Sequence, residues 1–488
     1  MNAMHRRKQC TPYRHVKQRP APLASLRPAS RLRTAVCNAR AAAAAVGIDL
    51  GTTNSVVAVL RAGDAAPRVL PTGVLGAGAG AFTIPSIAAV DEGGEWLVGD
   101  AARAQARSNP LNTYYSAKRL IGRRYSEVAG AQLVYRICEG SDGGVRLACP
   151  RLDADITPQQ VSAEVLRHAV LLAARELDAE VEEAVVTTPA YFTKAQRAAT
   201  VEAARLAGLK RVSLLQEPVA AAMAFGFGKP FESETILVFD LGGGTYDVSV
   251  LDSFEGIMEV LASAGDSELG GDDYDRALVA VLLRRLAATS GPAAAAAAAA
   301  DPVAAGRLLR AAEAAKVRLS SRKEAEVKLP GLIGQVPGSG GGSGGGRAGG
   351  DGAVGLETIV TESDLLEATT ALRQRLWPPL ASAAEQCKLA FASDSDAFER
   401  RLGPGSSSTS STSSSSSTSS SSSSVVGAAG TAATATAVVD KSEVDPEQCV
   451  AVGAAIQAGL LLGLTSGVEI MDGSYVEELH QRASGFQV

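Results

Sequence analysis

Two stretches constrain this 488-residue chain more than any other. Residues 236–251, ILVFDLGGGTYDVSVL, set apolar, β-branched segments on either side of Asp240 and a triple glycine, Gly242, Gly243 and Gly244. That pattern predicts two strands joined by a tight turn. Three consecutive glycines leave the turn without a Cβ, so its backbone can approach a bulky anion and its N–H groups can converge on phosphate oxygens. Asp240 and Asp247 bracket the turn with carboxylates, the hard oxygen ligands that suit a Mg²⁺–nucleotide. Taken alone, the stretch reads equally well as a plain Gly-rich hairpin. Residues 46–60, VGIDLGTTNSVVAVL, repeat the design. A strand ends in Asp49, a turn of Gly51, Thr52, Thr53 and Asn54 follows, and a second strand leaves. Two such hairpins predict two phosphate-gripping elements contributed by two similar lobes.

Between and after them, strands alternate with capped helices, which predicts α/β lobes. Thr157, Pro158 and Gln160 open one helix, with an apolar face through Val161, Val165, Ala169 and Leu172, and Thr193 with Gln196 opens a second. A buried strand over Val181–Thr187 leads to Pro189, and a short strand over 212–217 ends in Glu217-Pro218. Gly270 and Gly271 lead into another helix. The alanine tract 293–300 reads as an insertion, and Asp301 caps a helix running to about Ser321. Thr361 caps a helix that Trp377-Pro378-Pro379 is expected to stop. Asp445, Pro446 and Gln448 begin a small-residue helix over Val450–Leu462. Lys118 lies among Arg119, Arg123 and Arg124, a run that by itself reads best as a solvated basic face.

Composition narrows the function classes. A net charge of −5 gives no reason to expect a nucleic-acid surface as the main partner, and no stretch of about 18 apolar residues is present to span a membrane. The six cysteines form no CxxC pair and no Cys/His cluster, which argues against a zinc site or a disulfide scaffold. Residues 1–45 hold ten Lys or Arg and no acid, the composition of an organelle transit peptide, with several prolines favouring the chloroplast stroma over the mitochondrion. The expected organisation is therefore 1–45 transit peptide, 46–330 first part of the folded domain, 331–355 a Gly-rich insertion and 356–402 its continuation. A Ser/Thr/Ala stretch over 403–440, too polar and simple to fold, a last helix in 441–465 and a tail over 466–488 complete it.

The motifs GIDLGTTNS (47–55), AKRLIGRRY (117–125), VVTTPAYFTKAQR (185–197), LLQEPVAAAMAFGFG (214–228), ILVFDLGGGTYDVSVL (236–251), LGGDDYD (269–275) and VDPEQCVAVGAAIQAGLL (444–461) together resemble the nucleotide-binding domain of the 70-kDa heat-shock protein chaperones, bacterial and organellar branch. The resemblance implies an α/β, actin-like two-lobe ATPase fold with ATP or ADP and Mg²⁺ in the cleft. It implies that Gly51, Thr52, Thr53 and Asn54 form one phosphate turn, and Gly242, Gly243, Gly244 and Thr245 the other. Lys118 resembles the lysine that steadies charge on the γ-phosphate, and Glu217 the glutamate that orients the attacking water. Asp49, Asp240 and Asp247 resemble the carboxylates that hold the metal, mostly through water. Pro189 resembles the proline coupling hydrolysis to lobe motion. Gly270, Gly271, Glu313, Lys316, Ser320 and Glu447 fall on nucleotide-contacting positions, the middle three on the helix beside the adenosine. A J-domain co-chaperone and a nucleotide-exchange factor are the implied partners.

The pattern also breaks. The family's second adenosine motif, a Gly-Gly-x-Thr-Arg-x-Pro turn, is replaced by the Ser tract and VVGAAGTAATATAVV (425–439), and Glu447 stands where the family has Asp. The tail LTSGVEIMDGSYVEELHQRASGFQV has neither the family's interdomain linker nor a following peptide-binding domain, as expected of a truncated member or of an ATPase domain acting on partners. A catalytically impaired scaffold is the competing expectation. A sugar or glycerol kinase on the same fold is disfavoured, because AKRLIGRR and YFTKAQR are chaperone-branch motifs.

Overall fold

The computed structural model describes residues 44–72, 81–106, 108–131, 133–227, 234–254, 257–334, 353–387, 423–426, 445–465 and 469–471. The transit-peptide segment, apart from Ala44 and Ala45, and the second adenosine motif beyond Val426 lie outside these residues. The first hairpin is β1 (Ala44–Asp49) paired antiparallel with β2 (Asn54–Arg61), so the first strand already begins within the segment read as leader. Strand β3 (Glu183–Thr188) adds to β1 in parallel and β4 (Arg211–Gln216) adds to β3 in parallel. The central strands are continuous apolar runs because helices cover both faces. On one face, α1 (Pro158–Leu177) and α2 (Lys194–Leu206) bury Val165, Leu166, Ala169 and Ala203 against Val46, Ile48 and Val186. Both helices begin with the expected capping boxes, Thr157 with Gln160 and Thr193 with Gln196, each worth about 1 kcal/mol. On the other face lies α3 (Glu217–Gly226), which Glu217-Pro218 opens.

The second hairpin begins a meander, β5 (Glu234–Leu241), β6 (Tyr246–Phe254) and β7 (Ile257–Asp266), with Asp240 directly opposite Asp247 at the turn. Ser423–Val426 pairs in parallel with β5. It falls inside the stretch expected not to fold. An open sheet edge offers main-chain hydrogen bonds that do not depend on side-chain surface, and this is what composition overlooked. Beyond the meander, α4 (Gly271–Ser290), α5 (Pro292–Ala300) and α6 (Pro302–Leu319) pack with the hairpin β8 (Glu324–Ile333) and β9 (Val354–Thr361), whose strands flank the Gly-rich insertion.

Two expectations are refined here. The alanine tract, read as an insertion, is built into the fold as α5, with Ala294 and Ala298, four apart on one face, fully buried. The helix that Thr361 caps ends at Ala368, a short helix over Thr370–Gln374 follows it, and Trp377-Pro378-Pro379 then opens α7 (Trp377–Gln386). In a first turn the missing proline N–H would have no intrahelical partner anyway.

The last helix, α8 (Cys449–Leu461), joins the lobes together with α3. Their small residues have a steric cause. A Cβ on Gly47 of β1 would fall 2.1 Å from Ala455 N, and one on Gly453 would fall 1.8 Å from Ala220 O. Backbones in such close contact leave room only for glycine. Ile236, Val238 and Leu251 of the second sheet share a core with Ala220, Met223, Ile456 and Ala458 of these two helices. The two sheets therefore stand on α3 and α8.

Candidate functional site

A cleft of about 590 Å³ is lined by both turns: Asp49, Gly51, Thr52, Thr53 and Asn54 from the first lobe, and Asp240, Gly242, Gly243 and Thr245 from the second. Lys118, Glu217, Glu447 and Cys449 also line it. Its size suits a drug-sized or nucleotide-sized ligand. The glycines are required by proximity. A Cβ on Gly243 would lie 1.8 Å from Thr53 Oγ1, and one on Gly244 would lie 2.3 Å from Thr52 Cγ2. The start of α4 fixes the turn from behind, with Gly271 N–H donating to Gly242 O (3.0 Å) and Asp272 N–H to Gly243 O (2.7 Å). Within a trans peptide the C=O and the following N–H point oppositely. The N–H groups of Gly243 and Gly244 are thereby turned away from α4, as a phosphate-binding turn needs.

Lys118 is held in a short 3-10 turn, Ala117–Arg119, whose flanking Ala117, Leu120 and Ile121 are buried in the first lobe. It is not a solvated basic face. Lys118 is 7% exposed and its Nζ donates to Glu217 Oε1 at 2.5 Å, the glutamate being 4% exposed. Burial alone would lower the lysine pKa, but the charges of Glu217 and Asp49 outweigh it and raise it, so the ammonium is retained. Thr187 at the end of β3 donates to Asp49 Oδ1 at 3.0 Å.

The carboxylates are crowded. Burial first, then the charge of Glu217, lifts Asp49 to about 6 and Asp240 to about 7. Burial and the same glutamate push Asp247 well above the ordinary carboxylate range. Asp247 is 2% exposed, and neither of its oxygens accepts a hydrogen bond. Such a group is costly unless a donor or cation arrives. Among the described residues no three His, Cys, Asp or Glu side chains converge tightly enough to chelate a metal directly. Asp49 and Asp240 line the cleft while Asp247, paired opposite Asp240, is buried outside its lining, and carboxylate oxygens of this kind suit a hydrated Mg²⁺.

The remaining expected residues fall elsewhere. Gly270 and Gly271 cap α4 behind the second turn. Glu313 lines a separate cavity of about 110 Å³ beside Thr52 and Thr53. Lys316 Nζ is committed to Gly271 O (2.9 Å) and Asp275 (2.8 Å), and Ser320 is exposed, its hydroxyl donating to Lys316 O. None of Glu313, Lys316 and Ser320 lines the larger cleft. Sequence reasoning missed Thr187, Cys449 and Arg119. Only Arg119 carried a signal, its place beside Lys118.

Two lobes standing on paired helices, with a hairpin turn from each facing one cleft, define the actin-like ATPase fold. A family model described as Hsp70 protein matches residues 45–335, and the chain belongs to the Hsp70 family. It is 38% identical to heat shock 70 kDa protein 6, chloroplastic, of Arabidopsis thaliana over 429 residues, 88% of this chain and 54% of that protein. It is 37% identical to chaperone protein dnaK of Guillardia theta over 432 residues, 88% of this chain and 61% of that one. The stromal 70 kDa heat shock-related protein, chloroplastic, of Pisum sativum is 38% identical, with 88% of this chain and 54% of that protein covered. The chain thus spans little more than half the length of these relatives.

Proposed function

We propose that this chain binds ATP with Mg²⁺ and hydrolyses it slowly to ADP and phosphate, as the nucleotide-driven part of a plastid chaperone system. The observation that carries this reading is the buried Lys118–Glu217 pair standing among three carboxylates at the meeting of two glycine-bearing turns. Phosphoryl transfer needs positioning and charge neutralisation more than covalent help. In this reading the Gly51–Asn54 turn and the amides of Gly243 and Gly244 hold the phosphates, while Asp49, Asp240 and Asp247 hold the hydrated metal. Bound Mg²⁺ supplies neutralisation of phosphate charge. Lys118 steadies the γ-phosphoryl oxygens, and Glu217 orients the water whose oxygen bonds to phosphorus as the bond to the β–γ bridging oxygen breaks. Pro189, just beyond β3, relays the event to the lobes. A J-domain protein and a nucleotide-exchange factor are the proposed partners, and the names of the chloroplastic relatives support the plastid stroma.

The test is ATP affinity and single-turnover hydrolysis by the full chain beside Lys118→Ala. Micromolar binding with Lys118-dependent hydrolysis is expected. Millimolar binding with no effect of the substitution would sink the proposal, and tight binding without turnover would leave a nucleotide-sensing scaffold.

A further inference from the structure

Adjacent residues of the 3-10 turn do opposite things. Lys118 points into the carboxylate cluster, whereas Arg119 crosses to the second lobe. Its Nε donates to Gly244 O at 2.8 Å, and its Nη2 meets Asp273 Oδ2 at 2.5 Å. Asp273 Oδ2 also accepts the N–H of Gly270 at 2.9 Å, and Arg276 occupies the other carboxylate oxygen at 2.6 Å. The neighbouring Asp272 accepts Thr53 Oγ1 (3.1 Å) and Ser116 Oγ (2.8 Å), both from the first lobe.

We propose that Arg119 is a positioning residue: from the first lobe it fixes the second phosphate turn, and with Asp273 it forms a latch that sets the turn before nucleotide arrives. This deepens the ATP-binding reading and rests on it for its functional consequence. The geometry makes arginine necessary. One planar fork holds a main-chain carbonyl and a carboxylate at once, which a lysine ammonium, a point charge, does not do with the same rigidity. The Arg119 and Asp273 side chains are 13% and 14% exposed, so the pair is not a screened surface contact of negligible value. The turn itself is shaped to receive it, since a Cβ on Gly244 would fall 2.7 Å from Arg119 Nε. Arg119 does not line the cleft, so it acts through the turn and not on the phosphates. The Thr53–Asp272 bond ties the first phosphate turn to the same helix start. Both turns are therefore registered against the opening residues of α4.

The experiment is hydrogen exchange on the nucleotide-free full chain at the bonded amides of Gly242, Gly270, Gly271 and Asp272, with MgADP affinity measured in parallel. Arg119→Ala and Arg119→Lys are each expected to speed exchange at these amides about tenfold and to weaken MgADP binding about tenfold. At Gly242, Gly271 and Asp272, whose amides Asp273 does not itself hold, Arg119→Ala combined with Asp273→Asn should cost clearly less than the sum of the two single variants, as expected of residues that share one contact. Arg123→Ala, which breaks only a pair with the exposed Glu268, should leave the four amides unchanged. Wild-type exchange in both Arg119 variants, or full additivity in the double variant, would overturn the latch. If the wild type binds no nucleotide, the ATP-binding reading fails, while the exchange measurement still decides whether Arg119 sets the turn.

Discussion

The cleft between the two turns and the helix that the resemblance sets beside the adenosine are built differently. In the cleft, residues from both lobes face one space: the two turns, a buried lysine–glutamate pair, Asp49 and Asp240; Asp247, paired opposite Asp240, is buried outside the lining with both oxygens unpartnered. Along α6 and at its end, Glu313, Lys316 and Ser320 all lie outside this cleft. Lys316 braces the start of α4 and Ser320 faces solvent. In the proposed reading, a site that keeps costly buried charges around its turns while the side chains of α6 serve structure binds phosphate first and base second.

The largest expected effect breaks the first half of that contrast. Lys118→Met should lower single-turnover hydrolysis by at least about 100-fold, the scale of losing one electrostatic stabiliser. It should also cost about 3–5 kcal/mol of stability by leaving Glu217 buried and unpaired. Adding Glu217→Gln should restore much of the stability and none of the hydrolysis, which denaturant melts beside single-turnover rates would separate. Next, Asp247→Asn should weaken Mg²⁺-dependent nucleotide affinity by about 10–100-fold, as changes to outer-shell metal partners do, read by titration with and without the metal.

The crowded carboxylates give a third test, in metal-free and nucleotide-free protein. Asp240 titrates near 7 in the fold against an ordinary value of 3.8. Across that window the folded state therefore holds a proton that the unfolded chain has released. The group's contribution makes stability fall as pH rises from about 4 to 7 and flatten above. Asp240→Asn should thus stabilise the protein more at pH 8 than at pH 5, by about 2–3 kcal/mol at 1.36 kcal/mol per pH unit, and urea melts at the two pH values would show it. The smallest effects belong to α6. Lys316→Ala should cost about 1–2 kcal/mol of stability, and Ser320→Ala less than about 0.5 kcal/mol. Both should change nucleotide affinity less than about threefold in the same titrations.

Much of this was legible in the sequence because it is local. The hairpins, the Asp240–Asp247 opposition and both capping boxes follow from residues within a few positions of one another. What was not legible is what needs the third dimension. Lys118 looked like one of several surface cations, and only the burial of Ala117, Leu120 and Ile121 turns it inward. The place of Arg119 beside Lys118 gives no hint of its partners, because Gly244 and Asp273 lie more than a hundred residues away. The alanine tract and Trp377-Pro378-Pro379 hid their helices for a simpler reason. Low complexity and proline read as interruption, yet alanine is the best helix former and proline is harmless in a first turn. The Ser423–Val426 strand depends on a neighbour's edge far away in the sequence.

The most direct test of phosphate-first recognition is a calorimetric comparison of ATP, tripolyphosphate and adenosine binding to the full chain in Mg²⁺. Tripolyphosphate should bind within about tenfold of ATP, that is within about 1.4 kcal/mol. Lys118→Ala should weaken both alike, and adenosine should bind far more weakly than either. Adenosine binding as tightly as ATP, with tripolyphosphate silent, would contradict it.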